Sequence, residues 1–334
     1  MRAAVVGLLL ALAVGCGGGA SPPSTPITPS APTAPTLPAA PTTPSEWTLA
    51  GQVVTTLSAQ PVANAVVAAG DLSVTTDVNG RFELRRATAL TGPIAVSVSA
   101  DGVVTRNTYL TYPRSTPLVI DVIANRAPFD LGFYRQLARD GYEHPEQLTE
   151  LYHWTRGATF YVRTVEDSGR RVEPEVLDML RRELPAAFAY WTDGHYQATV
   201  EEGTEERTEQ NGFVRVSFYR SSEDVCATAT VGGNYGWMRF NLDRCGCGSV
   251  KATPNTAWHE VGHIAGFRHV PGNHLMNREY NNDCSSVIRK TDLETWHARV
   301  AYARPFGNTD PDHDPDWYSR IQPGIGSKPV VSCR

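Results

Sequence analysis

Residues 259–269 read His-Glu-Val-Gly-His-Ile-Ala-Gly-Phe-Arg-His, and this stretch decides the fold of the C-terminal half of the chain. Histidines at positions i and i+4 project from the same face of an α-helix, so His259 and His263 can reach one metal ion. Gly266 lies where such a helix must end, because glycine adopts a left-handed backbone conformation without steric cost. The chain then turns back, and His269 supplies a third imidazole. The spacing therefore predicts a three-histidine metal site.

Three protein ligands leave a fourth position open, which is typical of catalytic zinc sites. Zn²⁺ at such a site lowers the pKa of a bound water to about 7, so that a hydroxide nucleophile forms near neutral pH. Glu260 follows the first ligand, and its carboxylate can accept the proton of this water and pass it to a leaving amine. A closed structural site would need a fourth Cys or His and would leave Glu260 without a role. These residues predict amide hydrolysis with Glu260 as the general base.

The complete pattern HExxHxxGxxH resembles the zinc motif of the metzincin metallopeptidases. That family also has a methionine in a tight turn beneath the zinc, and Met276 in residues 274–277, His-Leu-Met-Asn, matches it. The short interval from the third histidine is similar to that of the matrixin branch, although matrixins usually have Pro where this chain has Arg278. The resemblance extends over residues 158–303. It implies a zinc endopeptidase that acts on protein or peptide substrates.

The same resemblance has implications for substrate binding and for latency. Strand 227–231 would form the edge of the sheet above the cleft and pair with an extended peptide by strand addition. A cysteine that precedes the domain and blocks the zinc is the family's usual latency device. This chain has no counterpart, because no Cys lies between Gly17 and Val225.

The first residues of the chain are typical of an export signal. Arg2 precedes the apolar stretch 3–14, which is too short to span a bilayer as a helix. Residues 13–16, Ala-Val-Gly-Cys, resemble a lipobox, in which Cys16 is diacylated and becomes the mature N-terminus; ordinary secretion with cleavage nearby is the alternative. We therefore predict a lipoprotein-type signal peptide over residues 1–16. It places the protein in a bacterial cell envelope, exported and anchored to a membrane that faces the periplasm or the exterior.

Two further segments precede the zinc motif. Residues 17–46 consist almost entirely of Gly, Pro, Ser, Thr and Ala, which predicts a disordered, extended linker. Residues 47–125 contain short β-branched runs separated by turns, and Asn79-Gly80 predicts a hairpin turn. The predicted strands are 52–56, 65–69, 73–76, 81–84, 94–99 and 118–123. Strands at this spacing predict an antiparallel β-sandwich.

The order of Gly51, Pro61, Asp77, Gly80 and Phe82 resembles the carboxypeptidase regulatory-like domain. This resemblance implies a transthyretin-like sandwich with no chemistry of its own.

The remainder of the chain has a mixed pattern. Residues 126–157 are predicted to be a connecting segment, and residues 158–334 an α/β zincin-type domain of the metzincin kind. Its predicted strands are 159–165, 197–201, 213–219, 227–231 and 237–242, and its predicted helices are 174–191, 254–265 and 291–303. The predicted fold class is therefore multidomain, with an N-terminal antiparallel β-sandwich followed by an α/β domain.

Cysteine content and charge limit the partners. The cysteines beyond the leader are Cys226, Cys245, Cys247, Cys284 and Cys333. In an exported protein they predict disulfides, but their number is odd and the connectivity does not follow from sequence. Residues 244–246, Arg-Cys-Gly, have the letters of a latency switch, and a disulfide is the preferred interpretation. A formal net charge of −5 gives no basic surface for nucleic acid, which we exclude as a partner.

Two alternatives remain from the sequence. Asp310, Asp312, Asp314 and Asp316 alternate near the C-terminus, and we favour a solvated acidic turn over a Ca²⁺ site because no EF-hand loop is completed. The alternative function is an envelope-binding protein, in which the sandwich recognises a partner and the zinc domain has minor or non-peptide hydrolase activity. Intact Glu260 argues against a degenerate zinc domain.

Overall fold

The computed structural model describes residues 47–87, 92–112, 118–245, 251–279, 287–316 and 330–333. The predicted signal peptide with Cys16 and the predicted linker lie outside these residues, as do Cys247 and Cys284. Within the described ranges, no helix is both long enough and apolar enough to cross a membrane.

Seven strands form two sheets in the N-terminal part. They are β1 (Trp47–Thr55), β2 (Val66–Ala69), β3 (Leu72–Thr75), β4 (Arg81–Arg86), β5 (Gly92–Ser99), β6 (Arg106–Tyr112) and β7 (Leu118–Val122). One sheet has the order β4-β1-β7 and the other the order β3-β2-β5-β6. The pairs are antiparallel except for β1 with β7, which are parallel.

The two sheets share one hydrophobic cluster. Burial alternates along β4 and β5, because successive side chains of a strand point to opposite faces. The cluster includes Trp47, Leu49, Val53, Val67, Phe82, Leu84, Val96, Val98, Ile120 and Val122. Burying an aliphatic or Phe side chain contributes about 1.5–3 kcal/mol relative to exposure. This shared cluster therefore holds the two sheets together.

The structure differs from the sequence prediction at three places in this part. The predicted arrangement was antiparallel, but β1 and β7 are parallel. β6 was not predicted, because its first residues are Arg106-Asn107-Thr108 and lack an apolar run; its pairing with β5 defines it. The predicted hairpin at Asn79-Gly80 is wrong. Gly80 N donates to Asp77 O at 2.9 Å, so a turn is present, but β3 and β4 belong to different sheets. The turn leads the chain from one sheet to the other.

The C-terminal part contains four helices and one six-stranded sheet. The helices are α1 (Leu131–Arg139), α2 (Pro174–Trp191), α3 (Pro254–Ile264) and α4 (Asp292–Tyr302). The strands are β8 (Ala158–Arg163), β9 (Ala198–Gly203), β10 (Phe213–Tyr219), β11 (Ala227–Thr230), β12 (Gly236–Asn241) and β13 (Val330–Cys333). Their order is β13-β11-β12-β10-β8-β9. β11 is antiparallel to both neighbours, and the other pairs are parallel.

A second hydrophobic cluster lies between the helices and this sheet. α2 and α3 pack against each other, and each also contacts the sheet. Alternate residues of β10 are buried, as expected for a strand with one covered face. The cluster includes Phe160, Leu180, Leu184, Phe188, Trp191, Val214, Val216, Phe218, Val261 and Ile264. The bounds of α2, α3 and α4 agree with the predicted helices to within one residue.

Residues 126–157, predicted as a connecting segment, are built into this second cluster. They contain α1, whose N-cap Asp130 accepts a hydrogen bond from Phe133 N at 3.0 Å. Phe133 and Trp154 both belong to the cluster, and Trp154 Nε1 donates to Ile264 O at 2.6 Å. The hydrophobic core of the C-terminal part therefore begins before the predicted boundary at residue 158.

The prediction that strand 227–231 forms the edge of the sheet is wrong. β12 pairs with one side of β11, and β13 pairs with the other. Four residues close to the C-terminus are too short a run to predict a strand from their own sequence.

The interpretation of the acidic tail as a solvated turn is also wrong. Asp312 and Asp314 are 0% and 1% exposed. Asp312 Oδ1 accepts a hydrogen bond from Arg304 Nε at 2.7 Å, and Asp314 Oδ2 accepts one from Arg106 Nη2 at 2.9 Å. Arginine side chains, not solvent, balance these carboxylates.

The alternative Ca²⁺ site also finds no support. Asp310 pairs with Arg135 through two hydrogen bonds, of 2.9 and 2.8 Å, and Asp316 is exposed. In the described part of the chain, the group of side chains placed to hold a metal ion consists of three histidines.

Arg304 joins the N-terminal sheets to the C-terminal part. Arg304 follows α4 and is buried. Its Nη1 atom donates to Asp121 Oδ2 at 2.6 Å, and its Nη2 atom donates to Thr56 Oγ1 at 2.9 Å. Burial raises the pKa of Asp121, but the charges of Arg304 and Arg106 outweigh burial and hold this pKa below its ordinary value. One guanidinium thus pairs with carboxylates from both parts, Asp121 and Asp312.

We predict that Arg304→Ala destabilises the protein, because it leaves the buried Asp312 without its charged partner. Breaking a buried ion pair in this way costs about 3–5 kcal/mol. Urea titration of both proteins measures the free energy of unfolding. Arg299→Ala is the control, since it removes an exposed pair with Asp193 and should cost about 1 kcal/mol or less. Equal losses in the two variants would contradict the role given to Arg304.

Candidate metal centre

Helix α3 is buried beyond its first residue. Thr253 caps its start, because Thr253 Oγ1 accepts a hydrogen bond from Thr256 N at 3.2 Å. Pro254 occupies the first turn, where its missing N–H has no helical partner to lose. Every residue from position 255 to 264 is buried. The histidines of this helix are therefore shielded from bulk water.

His259, His263 and His269 converge in the structure. One ring nitrogen of each lies within 4.8 Å of the others. Gly266 follows the helix with a φ of +110°, and a Cβ atom there would lie 3.0 Å from His153 Cα. The position therefore requires glycine both for its backbone conformation and for space. The reversal of the chain at Gly266 brings His269 back to the two helical histidines.

Each of the three imidazoles is held through its Nδ1 atom by an oxygen acceptor. The hydrogen bonds are His259 Nδ1 to Leu275 O (2.7 Å), His263 Nδ1 to Phe267 O (2.9 Å) and His269 Nδ1 to Glu143 Oε1 (3.0 Å). Carbonyl and carboxylate oxygens only accept hydrogen bonds, so each Nδ1 carries a proton. In a neutral ring the Nε2 atom then carries the lone pair.

These imidazoles lie close together in a buried environment. Burial, with a smaller contribution from the charge of His269, lowers the pKa of His259 to about 3. Burial also lowers the pKa of His263 well below its ordinary value. Their Nε2 atoms are only 2.9 Å apart, and His269 Nε2 is buried with no hydrogen-bond partner among the described residues. Converging imidazole lone pairs are typical zinc ligands, so the set fits a metal ion such as Zn²⁺.

Met276 packs directly against the metal-binding helix. A Cβ atom at Gly262 would lie 2.3 Å from Met276 Sδ, so glycine at this position leaves room for the methionine. Met276 is buried, and Leu275 O, one residue earlier, holds His259 Nδ1. The turn that contains Met276 thus supports the helix and orients the first histidine.

Glu294 of α4 fixes this turn, and the sequence analysis did not identify it. Its carboxylate accepts hydrogen bonds from Leu275 N at 3.1 Å and Met276 N at 2.8 Å. Thr291 Oγ1 donates to Glu294 Oε2 at 2.8 Å and accepts from Glu294 N at 3.2 Å. Burial raises the pKa of Glu294. The Thr-x-x-Glu spacing indicates a helix cap, but it does not indicate which turn the carboxylate reaches.

Glu143 is the second residue of the site that the sequence analysis missed. It follows α1, and its Oε1 atom lies 3.0 Å from His269 Nδ1 and 3.4 Å from Arg278 Nη1. The hydrogen bond from His269 lowers the pKa of Glu143, and the charge of Arg278 adds to this effect. Arg278 stands where matrixins usually have Pro. Arg278 contacts Glu143, and Glu143 contacts His269. The residue that connects the turn of Met276 to Glu143 therefore differs from the matrixin pattern.

Glu260 lies on α3 beside His259 and is buried. Burial raises the pKa of Tyr219 at the end of β10, and the negative charge of Glu260 makes a smaller contribution in the same direction. The structure thus places a buried carboxylate on the helix that carries two of the three histidines.

Cys226 and Cys245 form a disulfide, as the preferred interpretation of Cys245 predicts. The bond joins the residue before β11 to the segment after β12. Its sulfur atoms are therefore not metal ligands.

We predict that Glu143→Ala weakens zinc binding by about 10–100-fold, the usual effect of removing the partner that orients a metal-binding histidine. Competition with a chromogenic chelator measures the affinity. Glu143→Gln retains an oxygen acceptor and should lose less. Glu146→Ala, at an exposed position three residues later, is the control and should leave the affinity unchanged. Zinc affinity equal to wild type in Glu143→Ala would show that His269 is oriented by other contacts.

No protein-family model matches the chain, and no curated protein is significantly similar to it. Among solved structures, the chain is similar to the crystal structure of metalloproteinase-II from Bacteroides fragilis, with 11% sequence identity and a TM-score of 0.31. The match covers 77% of this chain and 91% of that chain.

Proposed function

We propose that the chain is a zinc-dependent endopeptidase of the metzincin type, exported and lipid-anchored through Cys16 in a bacterial envelope. One observation carries the catalytic part of the proposal. One ring nitrogen of each of three buried histidines lies within 4.8 Å of the others, burial keeps the pKa values of His259 and His263 low, and Glu260 lies on the helix of these two. The anchor rests on the sequence of residues 1–16 alone.

The metal and the protein have separate tasks in this proposal. Zn²⁺ held by His259, His263 and His269 would act as a Lewis acid that makes water more acidic and polarises a substrate carbonyl. Glu260 accepts a proton as the water oxygen attacks the carbonyl carbon of the peptide bond. It then delivers this proton to the amine nitrogen as the C–N bond breaks. No covalent intermediate with the protein forms.

The environment of the histidines suits this task. Because burial keeps the pKa values of His259 and His263 low, neither ring competes with Glu260 for the proton near neutral pH. Their Nδ1 bonds keep the Nε2 atoms aimed at one point. This arrangement supports a site that is organised before substrate binds.

The N-terminal sheets have a different role in the proposal. They resemble a carboxypeptidase regulatory-like sandwich in sequence, and they contribute Asp121 and Thr56 to the buried contacts of Arg304. We infer that they act as a spacer or docking module that is fixed to the catalytic part.

The decisive experiment separates metal binding from proton transfer. Glu260→Gln keeps the size of the side chain but cannot accept a proton at neutral pH, so turnover should fall by at least about 100-fold while zinc stays bound. His263→Ala should lose the zinc itself, because two imidazoles remain. Mass spectrometry measures the zinc content, and prolonged incubation with a peptide library measures the turnover.

Glu175→Gln, an exposed change on α2, is the matched control and should leave zinc content and turnover as in wild type. Near-normal peptide turnover by zinc-loaded Glu260→Gln would refute the mechanism. A wild-type protein that binds zinc but cleaves no peptide would favour the envelope-binding alternative.

A further inference from the structure

The side of β11 that does not pair with β12 is occupied by β13 of the same chain. β13 pairs with β11 in antiparallel register, with Ala227 opposite Cys333 and Thr230 opposite Val330. β13 is the outermost strand of the sheet within the described residues. Without β13, the backbone of β11 would present an open row of N–H and C=O groups on this side.

β11 is tied directly to the metal-binding helix. Gly232 N, just beyond the strand, donates to His263 O at 2.9 Å. A Cβ atom at Gly232 would lie 1.8 Å from Tyr152 O, so the backbone there is fixed between two neighbours. α3 also packs against β11. A chain that pairs with β11 therefore lies one strand spacing, about 4.8 Å, from a strand that contacts the helix of His259 and His263.

An extended peptide binds an open sheet edge by adding a strand, in which backbone hydrogen bonds supply affinity for many sequences. One edge can pair with one strand at a time. β13 has a further advantage over a free peptide, because attachment to the same chain corresponds to an effective concentration in the mM range. A substrate strand and β13 thus compete for the same backbone groups.

We propose that β13 is an internal competitor that keeps the peptide-binding edge of β11 closed until it is displaced. This proposal rests on the proposed endopeptidase function and adds its regulation. The occupant of the edge is residues 330–333, and the displacing partner is an extended peptide chain. The C-terminus thereby supplies a latency device that differs from a cysteine placed before the domain.

Two variants test the proposal in the full chain. Deleting residues 330–334 removes β13, and Ser332→Pro disrupts it, because proline fixes φ and has no N–H for the ladder. Ser332→Ala is the matched control, since it keeps the backbone donors. Both disrupting variants should lower KM for peptide substrates by about tenfold or more through loss of the tethered competitor. Both should leave kcat and zinc content unchanged, and Ser332→Ala should behave as wild type.

A binding assay makes the result independent of turnover. A fluorescent peptide with the sequence of residues 330–334, Val-Val-Ser-Cys-Arg, should bind the deletion variant and bind the full chain at least about tenfold more weakly. Hydrogen exchange in the segment 227–230 should be faster in the deletion variant. Combining the deletion with Glu260→Gln should abolish turnover but keep this binding.

The outcomes distinguish the two proposals. If the deletion and Ser332→Pro change neither peptide binding nor KM, β13 is not a competitor, whatever the chain hydrolyses. If the deletion opens the edge to the fluorescent peptide but no zinc-loaded form cleaves any peptide, competition is supported and the endopeptidase function is wrong.

Discussion

The hydrogen bonds to the three Nδ1 atoms are the constraint on which the metal centre depends. An imidazole free to rotate or change tautomer would present its Nε2 lone pair in many directions, and an oxygen acceptor at Nδ1 removes both freedoms. The acceptors come from the end of α3, from the turn at Leu275 and from Glu143 after α1. Glu294 holds that turn from α4. The site therefore becomes organised only when several distant elements have packed together.

The convergence of the three histidines could be predicted from sequence because their geometry is local. The i, i+4 spacing of His259 and His263 follows from the helix, and Gly266 marks the reversal that returns His269. The residues that orient these rings leave no such pattern. Glu143 is separated from its histidine by 126 positions, and nothing in its sequence neighbourhood distinguishes it from other acidic residues. Periodicity identifies what a helix face presents, but it does not identify which distant side chain meets that face.

The same reason explains why the acidic tail was misread. Alternating aspartates with proline look solvated when only their neighbours in sequence are considered. Two of the arginine partners are far away in sequence, since Arg106 lies 208 positions from Asp314 and Arg135 lies 175 positions from Asp310. Desolvation offsets much of the attraction within a buried ion pair. These pairs therefore act mainly on geometry. The guanidinium of Arg304 finds its hydrogen-bond acceptors only where groups from both parts of the chain meet.

The two sides of the proposed peptide site differ in how firmly they are held. Residues 255–264 of α3 are buried, and several belong to the second hydrophobic cluster, whereas β13 is a short strand paired with one neighbour among the described residues. Regions of a protein open independently, and those with few buried contacts open at much lower free energy than the core. In the proposed regulation, β13 therefore leaves β11 while the three histidines keep their positions. A strand that is paired on one side only is suited to exchange with another chain. A site inside the core is suited to keep its geometry during that exchange.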